Sequence, residues 1–161
     1  MIVIEAVDTG CWNAITGQRQ VVTVDECVEE LRRGDPSLSG YVAVSEQDIS
    51  RATVLPLPPE AAVAFRLEYP DADRLDPGER DLLALARTLT AEFELCSSDR
   101  AAVVAACACG WLDRVVSLEA LTASVGARPW RRLRRQHTEK HIGAWRTSLR
   151  LENLSQRGRT S

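Results

Sequence analysis

Short apolar runs alternate along the chain with longer amphipathic stretches, and the two periods predict strands and helices in turn. Residues 21–24 form a short β-branched run, and 25–33 carry a helical pattern closed by Gly34, a residue tolerant of the left-handed conformation at helix ends. Runs at 41–44 and 52–57 predict two more strands, the second stopped by Pro58 and Pro59. Those prolines suit the start of a helix over 60–68, which Pro70 breaks before a polar turn at 71–75. Asp76-Pro77-Gly78-Glu79 is the clearest helix start, with an acid to cap, a proline at the first helical position and Glu at the third. That helix continues over 81–89 with Leu82, Leu85, Ala86 and Leu89 on one face. Residues 93–97 predict a strand, 100–109 a small-residue helix ended by Gly110, 114–118 a strand, and 119–125 a helix ended by Gly126. From 130 to 149 the pattern is one long helix, its stripe being Trp130, Leu133, His137, His141, Trp145 and Leu149. The last residues, 155–161, read as a flexible tail.

Strands separated by helices, with no tight hairpin signal, predict parallel crossovers. Right-handed crossovers then give an α/β fold of three layers, α-β-α, around a mainly parallel central sheet. A long C-terminal amphipathic basic helix is added to it. In such sheets chemistry gathers at the carboxyl ends of the strands. A length of 161 residues fits one domain of ordinary size with a helical appendage. Apolar residues at 45% against charged ones at 27% place the chain among globular rather than disordered sequences. The apolar runs are too short to cross a bilayer and no leader pattern opens the chain, so the expectation is a cytoplasmic protein with no membrane partner.

The net charge of −3 hides an asymmetry. Residues 126–161 hold ten bases and two acids, a surplus of +8, whereas 1–125 hold ten bases and twenty-one acids, or −11. An acidic body with a basic tail predicts a polyanionic partner or docking of the tail on the body. The five cysteines are an odd number with no C-x-x-C pair, which argues against a disulfide framework or zinc ribbon, and Cys107 and Cys109, in an alanine-rich helical stretch, predict small buried thiols.

Several acids stand where a parallel sheet would gather them. Glu30 lies in the helix after the strand at 21–24, Glu79 and Asp81 open the central helix, and Asp99 stands at the exit of the strand at 93–97. Carboxylates brought into one pocket repel one another, an arrangement that makes sense chiefly around a hard divalent cation. Each has a plainer reading. Glu79 fits a capping box, Asp99 an N-cap, and Glu30 a solvated face.

These residues carry a family resemblance. Leu75-Asp-Pro-Gly-Glu79-Arg-Asp81-Leu-Leu-Ala-Leu-Ala86, then Glu94-Leu-Cys-Ser-Ser-Asp99-Arg-Ala-Ala, then Gly110 and Val115-Val-Ser-Leu-Glu-Ala-Leu121, is similar to the second half of a PIN domain. Val21-Val-Thr-Val-Asp-Glu-Cys-Val-Glu-Glu30-Leu-Arg-Arg-Gly34 resembles the family's strand and helix that carry its second acid. The resemblance implies a PIN-like domain over 1–126, followed by a helical extension over 127–154. It also implies a metal-dependent endoribonuclease using Mg²⁺ or Mn²⁺ that leaves 5′-phosphate and 3′-hydroxyl ends. Many such proteins are toxins of toxin–antitoxin pairs, so an antitoxin protein and a homodimer are implied partners. By position Glu30 matches the second acid, Glu79 the acid of the Gly-Glu motif with Asp81 as its rival, and Asp99 the acid after the fourth strand. Ser97 or Ser98 matches the small polar residue beside it. The family's first acid has two registers here. Either 2–7 is a strand ending at Asp8, or 2–7 is already the first helix and the first strand and its Asp lie upstream of Met1.

The basic stretch lies outside the resemblance. Arg131, Arg132, Arg134 and Arg135 have the charge to grip RNA phosphates, or simply to solvate a helix packed through Trp130, Trp145 and Leu149. His137-Thr-Glu-Lys-His141 lacks the Glu directly after the first His that a zinc-protease helix needs, and predicts a core or surface pair. The leading expectation is a PIN-like endoribonuclease acting on single-stranded RNA. The alternative is a catalytically inactive PIN-like module that binds RNA or protein. No helix-turn-helix signature supports a DNA-binding protein.

Overall fold

In the computed structural model, which describes residues 2–37 and 41–157, the chain opens with two short helices, Ile2–Asp8 (α1) and Trp12–Gln18 (α2). They meet at Gly10, whose φ of +73° strains any residue that carries a Cβ. Strand Val22–Thr23 (β1) and helix Asp25–Arg32 (α3) follow as the pattern predicts. Gly34 does not take the left-handed conformation expected of it. Its missing side chain instead makes room for an aromatic ring, since a Cβ there would stand 2.8 Å from Tyr41 Cε2.

No strand forms at 41–44. The chain turns into a one-turn helix, Glu46–Ile49 (α4), held by a capping box in which Ser45 and Asp48 each accept from the other's N–H, at 3.2 and 3.1 Å. Strand Thr53–Val54 (β2) then pairs in parallel with β1, Thr53 N–H donating to Val21 O at 2.8 Å and Leu55 N–H to Thr23 O at 2.9 Å. Pro59–Glu68 (α5) starts on a proline, as predicted, and a 3₁₀ turn at Pro70–Arg74 leads to Pro77–Ala86 (α6).

The second half repeats the scheme. Leu95–Cys96 (β3) is joined through Arg100–Ala108 (α7) to Val115–Val116 (β4), and the two strands pair in parallel. Leu118–Ser124 (α8) and Glu139–Arg157 (α9) complete the chain. Gly110 and Gly126 close α7 and α8 with φ of +78° and +66°, the role read for them from the sequence. The fold is therefore α/β and mostly helical, with parallel pairing in both halves. Among the described residues the strands form two separate pairs, β1–β2 and β3–β4. None of the described helices is long and apolar enough to cross a membrane.

Phe65, Leu83, Val103, Val115 and Ile142 anchor one buried cluster that joins α5, α6, α7, β4 and α9. Ala6, Trp12, Ile15, Leu118, Val125 and Leu133 form a second, between α1, α2, α8 and the segment after it. α6 buries four consecutive residues, Leu83 to Ala86, and not the single face expected of Leu82, Leu85, Ala86 and Leu89. The cause is its neighbours, because α3, α5 and α7 all pack against it.

The long C-terminal helix starts at Glu139, nine residues later than the pattern predicts. Tertiary bonds hold the preceding segment extended along α1. Trp130 N–H donates to Thr9 O at 3.2 Å, and Arg134 N–H to Glu5 Oε1 at 2.8 Å. The second bond takes the N–H that a helix running from Trp130 would turn back onto Trp130 O. The expected stripe is accordingly split. Leu133, His137 and Leu149 are buried, but Trp130 is 72% exposed and Ile142 joins the core. α9 runs through 155–157, the start of the expected tail, and 158–161 lie outside the described residues.

Candidate functional site

The first N–H groups of a helix have no intrahelical acceptor. In α6, Pro77 has no N–H to satisfy and Asp76 makes no side-chain cap bond. Gly78 N–H donates instead to Glu30 Oε1, 2.9 Å away on α3. A Cβ at position 78 would stand 2.8 Å from that oxygen and 2.9 Å from Cys27 Sγ. The glycine of the Gly-Glu pair is thus a matter of close approach, bringing Glu30 beside Glu79.

The capping box expected of Asp76 and Glu79 does not form. Glu79 Oε1 instead accepts from Ser97 Oγ, over 3.4 Å, at the exit of β3. The same hydroxyl accepts from Asp99 N–H at 3.1 Å. Asp99 is an N-cap, its Oδ1 accepting from Ala101 and Ala102 N–H at 2.6 and 3.1 Å, which is the plainer of the two readings of this acid. Burial, reinforced by the charges of Asp99 and Asp76, pushes the Glu79 carboxyl up to about 7. Burial likewise raises Cys27 to about 11, with Glu30 and Glu79 adding to the effect, which keeps it a thiol.

Among the described residues, no ion pair involves Glu30, Glu79 or Asp99. The two remaining candidate acids differ. Asp81 lies 3.7 Å from Arg80 Nε, and Asp8 pairs with Arg131 and Arg134. Because Ile2–Asp8 is helical, the register that makes it a strand ending at Asp8 does not hold.

The carboxyl oxygens of Glu30, Glu79 and Asp99, in no ion pair among the described residues, are hard donors of the kind a hard cation takes, one of the carboxyls raised by burial and then by its neighbours' charge. Among the described residues, no group of three or more His, Cys, Asp and Glu side chains is gathered to hold a metal by itself. Mg²⁺ commonly takes one or two carboxylates and fills its other positions with water and substrate phosphate, so the set suits a cation shared with a ligand.

The four arginines separate into two kinds. Arg131 and Arg134 are drawn onto α1, where buried Glu5 lies 3.1 Å from Arg131 Nη1 and 3.4 Å from Arg134 Nε. Burial alone would raise the Glu5 carboxyl, but hydrogen bonds from Arg131 and the Arg134 N–H outweigh it and hold it below its ordinary value. Arg132 and Arg135 are exposed and, among the described residues, in no ion pair. His137 is buried with no partner for Nδ1, and burial depresses it to about 4. His141 packs against Trp145 with ring centroids 4.5 Å apart, so the two histidines go separate ways.

Sequence reasoning missed Asp76 as a contributor to Glu79, and missed a second strand-exit serine. Ser117 follows β4 as Ser97 follows β3, and its hydroxyl donates to Glu139 Oε2 at 2.8 Å. The signal was present in Leu-Cys-Ser97 and Val-Val-Ser117, two apolar pairs each followed by a serine. Against known proteins the chain stands without a match: no family model, curated protein or solved structure is recognisably similar to it.

Proposed function

We propose that the chain is a PIN-like endoribonuclease that hydrolyses phosphodiester bonds of single-stranded RNA with Mg²⁺ or Mn²⁺. The observation that carries this reading is the link from Glu79 through the Ser97 hydroxyl to the Asp99 N–H, with Glu30 bonded to the neighbouring Gly78 N–H and, among the described residues, no ion pair to any of the three acids. In this reading the two parallel strand pairs belong to one three-layer α-β-α arrangement, and the acids stand on its carboxyl edge.

Glu79 and Asp99 hold the cation, Ser97 orients Glu79, and Glu30 fixes the helix start beside it. When bound, the cation neutralises the acids and the charge building on the scissile phosphate, and it makes water a better nucleophile. Water attacks phosphorus and its proton passes into the acid cluster. The bond to the 3′-oxygen breaks and that oxygen takes a proton from solvent, leaving a 3′-hydroxyl and a 5′-phosphate. The resemblance adds an antitoxin protein and a second copy of the chain as partners.

The test is Mn²⁺-dependent cleavage of an end-labelled single-stranded RNA by the wild-type chain, Asp99→Asn and Glu79→Gln. The reading requires cutting that both substitutions abolish. One observation favours the alternative, an inactive RNA- or protein-binding module: no three-donor group is present among the described residues. Intact RNA binding without any cleavage would establish that alternative.

A further inference from the structure

α8, the segment 127–138 and the first turns of α9 enclose an open groove of about 1100 Å³. Arg132, Arg135 and Lys140 line it, all exposed and, among the described residues, in no ion pair. Glu119 on its wall is engaged by the Glu139 N–H at 2.7 Å. Trp130 also lines it, with 72% of its surface in water. This indole is not loose. Its N–H donates to Asp8 O at 2.7 Å, and its Cδ1 lies 3.3 Å from where a Cβ on Gly10 would stand. The φ of +73° at Gly10 keeps side chains out of that space. A ring of this size is ordinarily well covered, so one held by its edge and left open is set to receive something flat.

We propose that this groove binds a single strand of nucleic acid, one base stacking on Trp130 while phosphates run over Arg132, Arg135 and Lys140. Cations spaced along a groove beside an aromatic platform are what single-strand binding uses. An acidic peptide would satisfy the cations and leave the indole unused. The Arg131 guanidinium lies over the indole ring, 6.0 Å from its centroid, while its charge is paired with Glu5 and Asp8, so a base would stack on the ring's other face. The inference does not rest on the nuclease reading, because no groove residue belongs to the Glu30, Glu79 and Asp99 cluster.

Fluorescence anisotropy with labelled single-stranded RNA and DNA of the same sequence, in EDTA so that nothing is cut, tests the groove in the full chain. The wild-type chain binds, and its affinity falls as salt rises. Combined Arg132→Ala, Arg135→Ala and Lys140→Ala weaken binding about tenfold or more and flatten the log–log salt slope by about 2 to 3. Trp130→Ala weakens it about 5- to 100-fold at unchanged slope, and Trp130→Phe, which keeps a ring, retains most of the affinity. Unfolding temperatures confirm that each variant is folded. The proposal is overturned if the wild-type chain does not bind in EDTA, or if the triple variant binds as well as wild type. It is equally overturned if Trp130→Ala has no effect and poly-glutamate displaces the strand as readily as unlabelled oligonucleotide. Binding by Asp99→Asn without cleavage by wild type would sink the nuclease and leave the groove standing. Cleavage by wild type with unaltered binding in the groove variants would do the reverse.

Discussion

Glu30 and Gly78 stand 48 positions apart and share one hydrogen bond, 2.9 Å from amide to carboxylate. The bond holds an acid of α3 against the start of α6, one residue from Glu79. It depends on the absence of a side chain at position 78.

Gly78→Ala tests that dependence. Alanine in a helix is favoured over glycine by about 1 kcal/mol, whereas overpacking costs about 1–3 kcal/mol. The Glu30 carboxylate ends a long arm and can swing aside, but Cys27 Sγ is on a short one. The expected outcome is a net loss of roughly 0–2 kcal/mol in chemical denaturation. In a Glu30→Ala, Cys27→Ala background the same change becomes neutral or stabilising. Equal effects in the two backgrounds would refute the close approach.

Glu79 makes the chain sensitive to alkali. Its folded value is raised from 4.5 to about 7, so its stability contribution is complete below 4.5 and is lost as pH rises through 7. Allowing for solvent screening, the loss is roughly 1–2 kcal/mol. Glu79→Gln should therefore be more stable than wild type at pH 8 and no different at pH 4. Mn²⁺ should raise the unfolding temperature of wild type at pH 8, and the glutamine variant should lose that rise.

His137 has the opposite sign. Burial depresses it from 6.5 to about 4, so its contribution is complete above 6.5 and is lost as pH falls toward 4. The effect amounts to roughly 1–3 kcal/mol after discounting for screening. His137→Leu should flatten the acid limb of the stability profile. Because the Glu79 window overlaps this one, the acid limb should be steepest in Glu79→Gln. An unchanged acid limb in His137→Leu would show that the imidazole titrates normally.

Glu5→Gln removes the charge that gathers Arg131 and the Arg134 N–H. Hydrogen bonds to a buried charged group are typically worth about 1.5–3 kcal/mol, and a loss of that size is expected in urea unfolding. Arg131 keeps Asp8, so the segment should loosen rather than detach. Amide exchange at Arg134 should quicken more than at Val103 in the core.

Local signals told most of the order of elements. Gly110 and Gly126 end their helices as read, and the prolines at 58, 59 and 77 mark helix starts. The addresses of the acids were legible too, Asp99 capping α7, Glu79 standing in the first turn of α6 and Glu30 lying within α3. What the sequence hid was tertiary. The stripe from Trp130 to Leu149 has helical spacing throughout, yet Glu5 holds its first part extended from 129 positions away. The residues that appear most cationic are for that reason split, and Arg132 and Arg135 keep the charge that Arg131 and Arg134 give to α1. A one-turn helix at Glu46–Ile49 lay in the gap between the runs at 41–44 and 52–57, its start decided by two reciprocal bonds between Ser45 and Asp48.

α9 holds β4 at two points: Arg146 Nη1 donates to Val115 O at 2.9 Å, and Glu139 accepts from Ser117 Oγ at 2.8 Å. β4 in turn is the strand partner of β3, from whose exit Ser97 and Asp99 project. These contacts predict that the last helix and the exit of β3 open and close as one cooperative unit. Clipping the chain ahead of Glu139 would remove Ile142 and Leu149 from the core, and with them the frame that sets the positions of Ser97 and Asp99. Native-state hydrogen exchange should report one shared opening energy for the amides of α9, Cys96 and Val116.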